Sequence, residues 1–268
     1  MPRRISLQAL WVLRQVGAVA LGVFVYFRVR GLTSGRPSVA LDHANDILAF
    51  EHRLGLDQEH NLQRLTHHGV DPLVDIANWV YIWGHWPVII TVMVWLAIRH
   101  KDVFLRLRNA MFVSGGIGLV VFATYPVAPP RLTAHGFIDT VTLRSQAYRV
   151  LQPPAFVNPY AAMPSLHVGW DLLVGISIIT ATTSAVLKVI GGLMPVLMAL
   201  AVVTTANHYV VDGIAGASLA LFGLAVAVWY ERAGATFAAH QVSRLHLHVP
   251  HPRAAGHDEA QVPKALAS

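Results

Sequence analysis

Apolar residues fall along this chain in blocks of about 20, separated by short polar stretches, the length at which a helix crosses a bilayer core. The pattern predicts spans over residues 10–27, 73–98, 110–125, 164–182, 186–207 and 209–230. Arg14 interrupts the first block, so its hydrocarbon-embedded part begins after that residue, with the side chain reaching back toward headgroups. No A-x-A-like cleavage site precedes Arg28 and Arg30, and the block is read as an uncleaved helix. The fold class expected is all-α: a polytopic bundle of about six transmembrane helices plus an interfacial amphipathic helix.

Between the spans the polar stretches differ in kind. In residues 28–71, Ile47, Leu48, Phe50, Leu54 and Leu56 alternate with Asp46, Glu51, His52 and Arg53 at helical spacing, predicting an amphipathic helix in the membrane interface that Gly55 loosens at its end. Pro87 predicts a kink in the second span. Residues 99–108 read as a short basic loop, and Ser114, Gly115, Gly116 and Gly118 permit close packing of the third span. Six prolines between Pro126 and Pro159 exclude a long helix over residues 126–162, and the tail from Glu231 reads as disordered. Three regions result: residues 1–71, a helical core over 72–230, and a tail over 231–268.

Composition narrows the function classes. Of 268 residues 54% are hydrophobic and 13% charged, against about 25% charged in soluble domains. That excludes a soluble enzyme or a disordered protein. The chain has no cysteine, so no disulfide, thiolate metal site or cysteine nucleophile can form. The formal net charge of +6 comes from residues flanking apolar blocks, where topology explains them and nucleic acid is not required. Charge counting puts both termini in the cytoplasm of a multi-pass cell-membrane protein, with Arg28, Arg30 and Arg36 voting against. Whatever the orientation, the end of span three, the start of span four and the junction of spans five and six share one membrane face.

Ionisable residues gather at that face. His208 and Asp212 stand four residues apart, which stacks them on one helical face with the carboxylate able to hold a ring nitrogen proton. An imidazole so held is a nucleophile that becomes a stabilised cation on attacking phosphorus. His167 falls in the first turn of span four after Pro164, where free amides and the Ser165 hydroxyl suit an anion. Arg131 offers a planar, permanent charge for phosphoryl oxygens. Asp75, Asn78, Tyr81 and His85 recur on one side of span two and, with Tyr209, are candidate substrate or acceptor contacts. Plain structural readings stand beside these: a packing pair for His208 and Asp212, a headgroup anchor for Arg131, an N-cap for Ser165, and interhelical packing for the span-two residues. No metal ligand set is assigned, the tail histidines lacking a fixed geometry.

Taken together, Pro164-Ser165-Leu166-His167 and His208-x-x-x-Asp212 resemble the second and third elements of the type 2 phosphatidic acid phosphatase (lipid phosphate phosphatase) superfamily. The Pro129-Pro130-Arg131 stretch, the Ala-Met-Pro-Ser-Leu-His form and the Asn-His-Tyr-x-x-Asp form are similar to its inositol phosphorylceramide synthase branch. The resemblance covers about residues 72–228. It implies His208 as a nucleophile passing through phosphohistidine, Asp212 as its assistant, His167 as the acid that protonates the leaving group, and no metal or other cofactor. It also implies membrane lipid substrates, and the charge counting above puts the active site at the extracytoplasmic face. The chain departs from the pattern where Ala201-Val202 replaces Ser-Arg, Tyr125-Pro126 replaces Arg-Pro, and Leu166 replaces Gly, which leaves Arg131 as the substitute phosphate ligand. The expected activity is transfer of a phosphate or phospho-head group, phosphoinositol among the candidates, from a lipid donor to a lipid alcohol or to water. A plain lipid or polyprenyl (pyro)phosphate phosphatase and a non-catalytic lipid-binding or transport protein are the alternatives.

Overall fold

A computed structural model describes residues 7–32, 37–67, 71–144 and 158–246. Among these residues the chain is all-helical, with no strand and one isolated bridge between Val127 and Ala161. The helices are α1 (Leu7–Leu32), α2 (Pro37–Leu54), α3 (Glu59–His67), α4 (Asp71–Trp83), α5 (Trp86–Arg99), α6 (Lys101–Thr124), α7 (Thr140–Arg144), α8 (Leu166–Ala181), α9 (Ala185–Thr204) and α10 (Val210–His246).

Among the described residues four helices are long and apolar enough to cross a membrane: those over Leu10–Arg28, Lys101–Thr124, Ala185–Thr204 and Val210–Gly234. The pair α4 and α5, bent by 46°, makes a fifth if it is one broken span. These mark a multi-pass membrane protein. The expected fourth span, α8, has 16 residues, about 24 Å at 1.5 Å per residue and short of a hydrocarbon core of about 30 Å.

Several boundaries differ from the sequence expectation for physical reasons. The basic stretch 99–108 is helical from Lys101, where α6 begins. Lys101 lies 5.0 Å from the Trp11 ring and Arg108 5.9 Å from the Phe112 ring, and Arg108 also donates to Gln15 of α1. The bend in span two falls at Gly84 and His85, and Pro87 sits in the first turn of α5, where its missing amide costs nothing. Span four starts at an N-cap, Ser165, rather than at Pro164. The helix from Val210 runs on to His246, through a stretch read as disordered. Alanines 233, 235, 238 and 239 are strong helix formers, and the first proline beyond them is Pro250. Residues 247–268 of that tail, with His248, His251 and His257, lie outside the described residues.

Contacts divide the chain into Met1–Trp229 and Tyr230–Ser268. In the first unit, α5, α6 and α8 bury Ile89, Leu96, Phe104, Leu107, Trp170 and Leu173 together. Close approaches depend on glycines: a Cβ on Gly175 of α8 would meet the Gly191 carbonyl of α9 at 2.2 Å, and one on Gly216 of α10 would meet the Ser165 carbonyl at 2.0 Å. The second unit contributes the continuation of α10 through His246.

The segment before the core is helical, as its spacing predicts. Helix α2 buries Ala40, Ala44, Ile47 and Glu51 on one stripe and leaves Phe50 and Leu54 exposed on the other. It ends in a Schellman turn: Gly55, at φ +67°, donates to the His52 carbonyl and Leu56 to the Glu51 carbonyl. That reversal lets α3 return alongside it.

Candidate active site

The turn between α9 and α10 makes the site. At the end of α9, Asn207 donates to the Val202 carbonyl and Ala206 to the Val203 carbonyl, another Schellman pattern, here with Ala206 at φ 55°. An alanine in this region costs about 1–2 kcal/mol, strain tolerated where surroundings over-determine it. The chain then presents His208 just before α10.

Its ring is fixed by the neighbouring strand-like segment. Val127 donates to the Tyr160 carbonyl and Ala162 to the Val127 carbonyl, zipping residues 126–128 beside 160–162. The Ala162 carbonyl in turn lies 2.7 Å from His208 Nδ1. A carbonyl only accepts, so Nδ1 carries the proton and Nε2 of the neutral ring keeps its lone pair.

Asp212 stands beside the ring, as its spacing suggests, and also caps its own helix. Its Oδ2 accepts the Tyr209 amide at 2.9 Å, the reach-back of a capping box, and stands 3.4 Å from His208 Nδ1. The carbonyl of Ala162 is therefore the closer partner of the His208 ring.

His167, in the first turn of α8, has its ring 5.6 Å from that of His208, centroid to centroid and tilted by 59°. Both line one cavity together with Arg131, Asn158, Asn207, Tyr81, His85, Trp86 and Trp170. Its empty space is about 670 Å³ including the open mouth. Tyr81 stacks on His167 at 4.8 Å, and the His85 ring lies 4.4 Å from it on the adjacent side. Arg131, on a 3-10 turn over Pro130–Leu132, is paired to Asp139 at 3.4 Å through Nε. Thus the structure gathers His167, His208 and Arg131, from three separate stretches, around one opening, with Asp212 behind the His208 ring.

The remaining candidates are placed as follows. Tyr81 and His85 line the cavity. Asn78 is buried in a two-way exchange with Thr140, whose hydroxyl donates to Asn78 Oδ1 at 2.9 Å. Asp75 is exposed on α4 and is not a lining residue. Tyr209 is fully buried, its hydroxyl donating to the Ala128 carbonyl at 3.0 Å. The Ser165 hydroxyl accepts the Val168 amide as the N-cap of α8 and does not line the cavity. The sequence reading missed Asp171, buried and accepting from His85 Nδ1 at 2.8 Å. A signal for it was present: His167 and Asp171 have the same four-residue spacing as His208 and Asp212.

A family model described as the PAP2 superfamily matches residues 45–226, and the chain belongs to that superfamily. No curated protein and no solved structure matches it. Membership points to a phosphatase-type or phosphotransferase activity on lipid substrates.

Proposed function

We infer that the protein is an integral membrane lipid phosphatase or phosphotransferase working through a phosphohistidine. The observation that carries this reading is the His208 ring, held through Nδ1 by a backbone carbonyl, with His167 beside it in the same cavity. His208 Nε2 attacks phosphorus, and the bond from phosphorus to the lipid oxygen breaks as His167 hands that oxygen its proton. Asp212 stabilises the charged phosphoimidazole, and the Arg131 guanidinium takes phosphoryl oxygens. In the second step water or a lipid alcohol attacks phosphorus, His167 removes its proton, and the P–N bond breaks to restore His208. The protein's own side chains supply every proton and charge in this route.

The Ala162–His167 and Asn207–Asp212 sequence forms favour transfer of a phospho-head group, phosphoinositol among the candidates, to a lipid alcohol. In this reading α8 completes a bundle of six spans, its short apolar length compensated by burial among α5, α6 and α9. Phe50 and Leu54, exposed on α2, suit a helix lying in the interface beside the site.

The test is incubation of the purified protein with head-group-labelled phospholipids, with and without diacylglycerol or ceramide. Label transferred to the added alcohol supports a transferase, and label released to water supports a phosphatase. Lipid bound without turnover by the wild-type protein rejects catalysis.

A further inference from the structure

Three successive amides open α10, and each is taken by a different carboxylate. Tyr209 donates to Asp212 Oδ2 at 2.9 Å, Val210 to Glu59 Oε1 at 2.9 Å, and Val211 to Glu51 Oε1 at 2.7 Å. Asp212 is local, but Glu59 and Glu51 come from α3 and α2, 151 and 160 residues earlier. All three acids are at most 2% exposed. The Schellman turn at Gly55 is what returns α3 to the same helix end that α2 already caps.

This arrangement over-supplies negative charge. A helix N-terminus offsets about half an elementary charge, so three ionised, buried carboxylates there would leave a large uncompensated cost. Glu51 Oε2 and Asp212 Oδ1 are buried with no hydrogen-bond partner. A proton on Glu51 Oε2 resolves the excess charge and turns one of those orphaned acceptors into a donor. Burial first, and then the neighbouring Glu59 and Asp212 carboxylates, push the Glu51 carboxyl up to about 9. The titratable groups facing it are Glu59 from α3, Asp212 from α10 and Tyr209 from the turn, whose phenol is itself raised by burial and by these acids.

We propose that Glu51 and Glu59 are positioning residues for the phosphoryl-transfer site: two buried carboxyl side chains, from α2 and α3, that together clamp the first turn of α10 and so hold His208 and Asp212 in register. The proposal rests on the functional reading above, and it gives the segment before the helical core a defined task. Neither glutamate lines the cavity, so both act through the turn they hold. A neutral Glu51 also leaves Asp212 free of a second adjacent charge, which keeps its field directed at the His208 imidazole.

The test compares Glu51→Gln, Glu51→Ala and Glu59→Ala in the full chain reconstituted in lipid vesicles. Glutamine keeps the acceptor for Val211 and a donor at the other atom, so Glu51→Gln retains turnover near the wild-type level. The two alanine variants lose kcat on the order of 100-fold with little change in KM, because the nucleophile is misplaced while the pocket remains. Wild-type turnover falls above about pH 9, and this alkaline limb disappears in Glu51→Gln. Infrared titration gives a readout independent of turnover: a protonated-carboxyl band present at pH 7, lost with a midpoint of about 9 in the wild type and absent in Glu51→Gln. A Glu51→Gln protein as impaired as Glu51→Ala, or one keeping the band and the alkaline limb, overturns the proposal. A wild-type protein that shows the band yet turns over no phospholipid fails the functional reading instead.

Discussion

His85 donates from Nδ1 to Asp171 across 2.8 Å, and its ring lies 4.4 Å from that of His167, the residue four positions before Asp171 on the same helix. The site is thus built on two histidine–aspartate pairs of unlike geometry. In one the aspartate grips an imidazole from another helix, and in the other it caps its own helix. The His85–Asp171 pair is almost completely shielded from solvent, and removing one member leaves the other unpaired in a medium of low polarity. His85→Ala is expected to cost about 3–5 kcal/mol of stability, and His85→Asn, which restores a donor, distinctly less. Thermal unfolding in detergent checks the order, and equal losses in both would show that packing rather than the pair is at stake.

The crossing of α8 and α10 sets the separation of the His167 and His208 rings. A Cβ at Gly216 would fall 2.0 Å from the Ser165 carbonyl oxygen and 2.7 Å from its carbon, and backbone at that distance can only be pushed away. Gly216→Ala is therefore expected to separate His167 from His208 and lower turnover on the order of 100-fold. Gly192→Ala on α9, where nothing lies within 4 Å, serves as the neutral control.

Stability should carry the mark of Glu51 as pH changes. Its carboxyl rises from 4.5 to about 9 in the folded chain, so the folded state holds a proton that the unfolded chain releases between those values. The contribution is fully present below about 4.5 and is lost as pH rises through about 9. The melting temperature of the wild type is expected to fall across that window more steeply than that of Glu51→Gln. Parallel curves would show that Glu51 is ionised at neutral pH.

Arg131 reaches the cavity while its Nε is held by Asp139. If it takes phosphoryl oxygens, Arg131→Ala lowers kcat/KM on the order of 100-fold. Arg131→Lys recovers part of this, because an ammonium replaces a fork with a point charge. Steady-state kinetics on a short-chain lipid phosphate gives the comparison, and unchanged kcat/KM in the alanine variant removes Arg131 from the phosphate shell.

What the sequence disclosed and what it withheld follow from the range of each interaction. The apolar blocks announced the helices, since bilayer length is written in consecutive residues, and the order of those blocks suggested that His167 and His208 meet at one end of the bundle, where they line one cavity. The grip on His208 was not legible because its orienter is a main-chain carbonyl, at Ala162, that any residue could supply. The caps from Glu51 and Glu59 join residues 160 and 151 positions apart, and no local pattern marks them. Pro87 signalled a break in span two but the bend lies just before it, at Gly84 and His85, because proline settles best in the first turn of the helix that follows.

The central claim is that the imidazole of His208 takes the phosphoryl group. Acid-quenched or alkali-quenched reactions with a phosphorus-labelled lipid substrate test it most directly. The wild type is expected to carry label that survives alkali and is lost in acid, as a phosphoimidazole is, and His208→Gln, folded with an unchanged melting temperature, to carry none. Label retained at the wild-type level in His208→Gln would contradict the account.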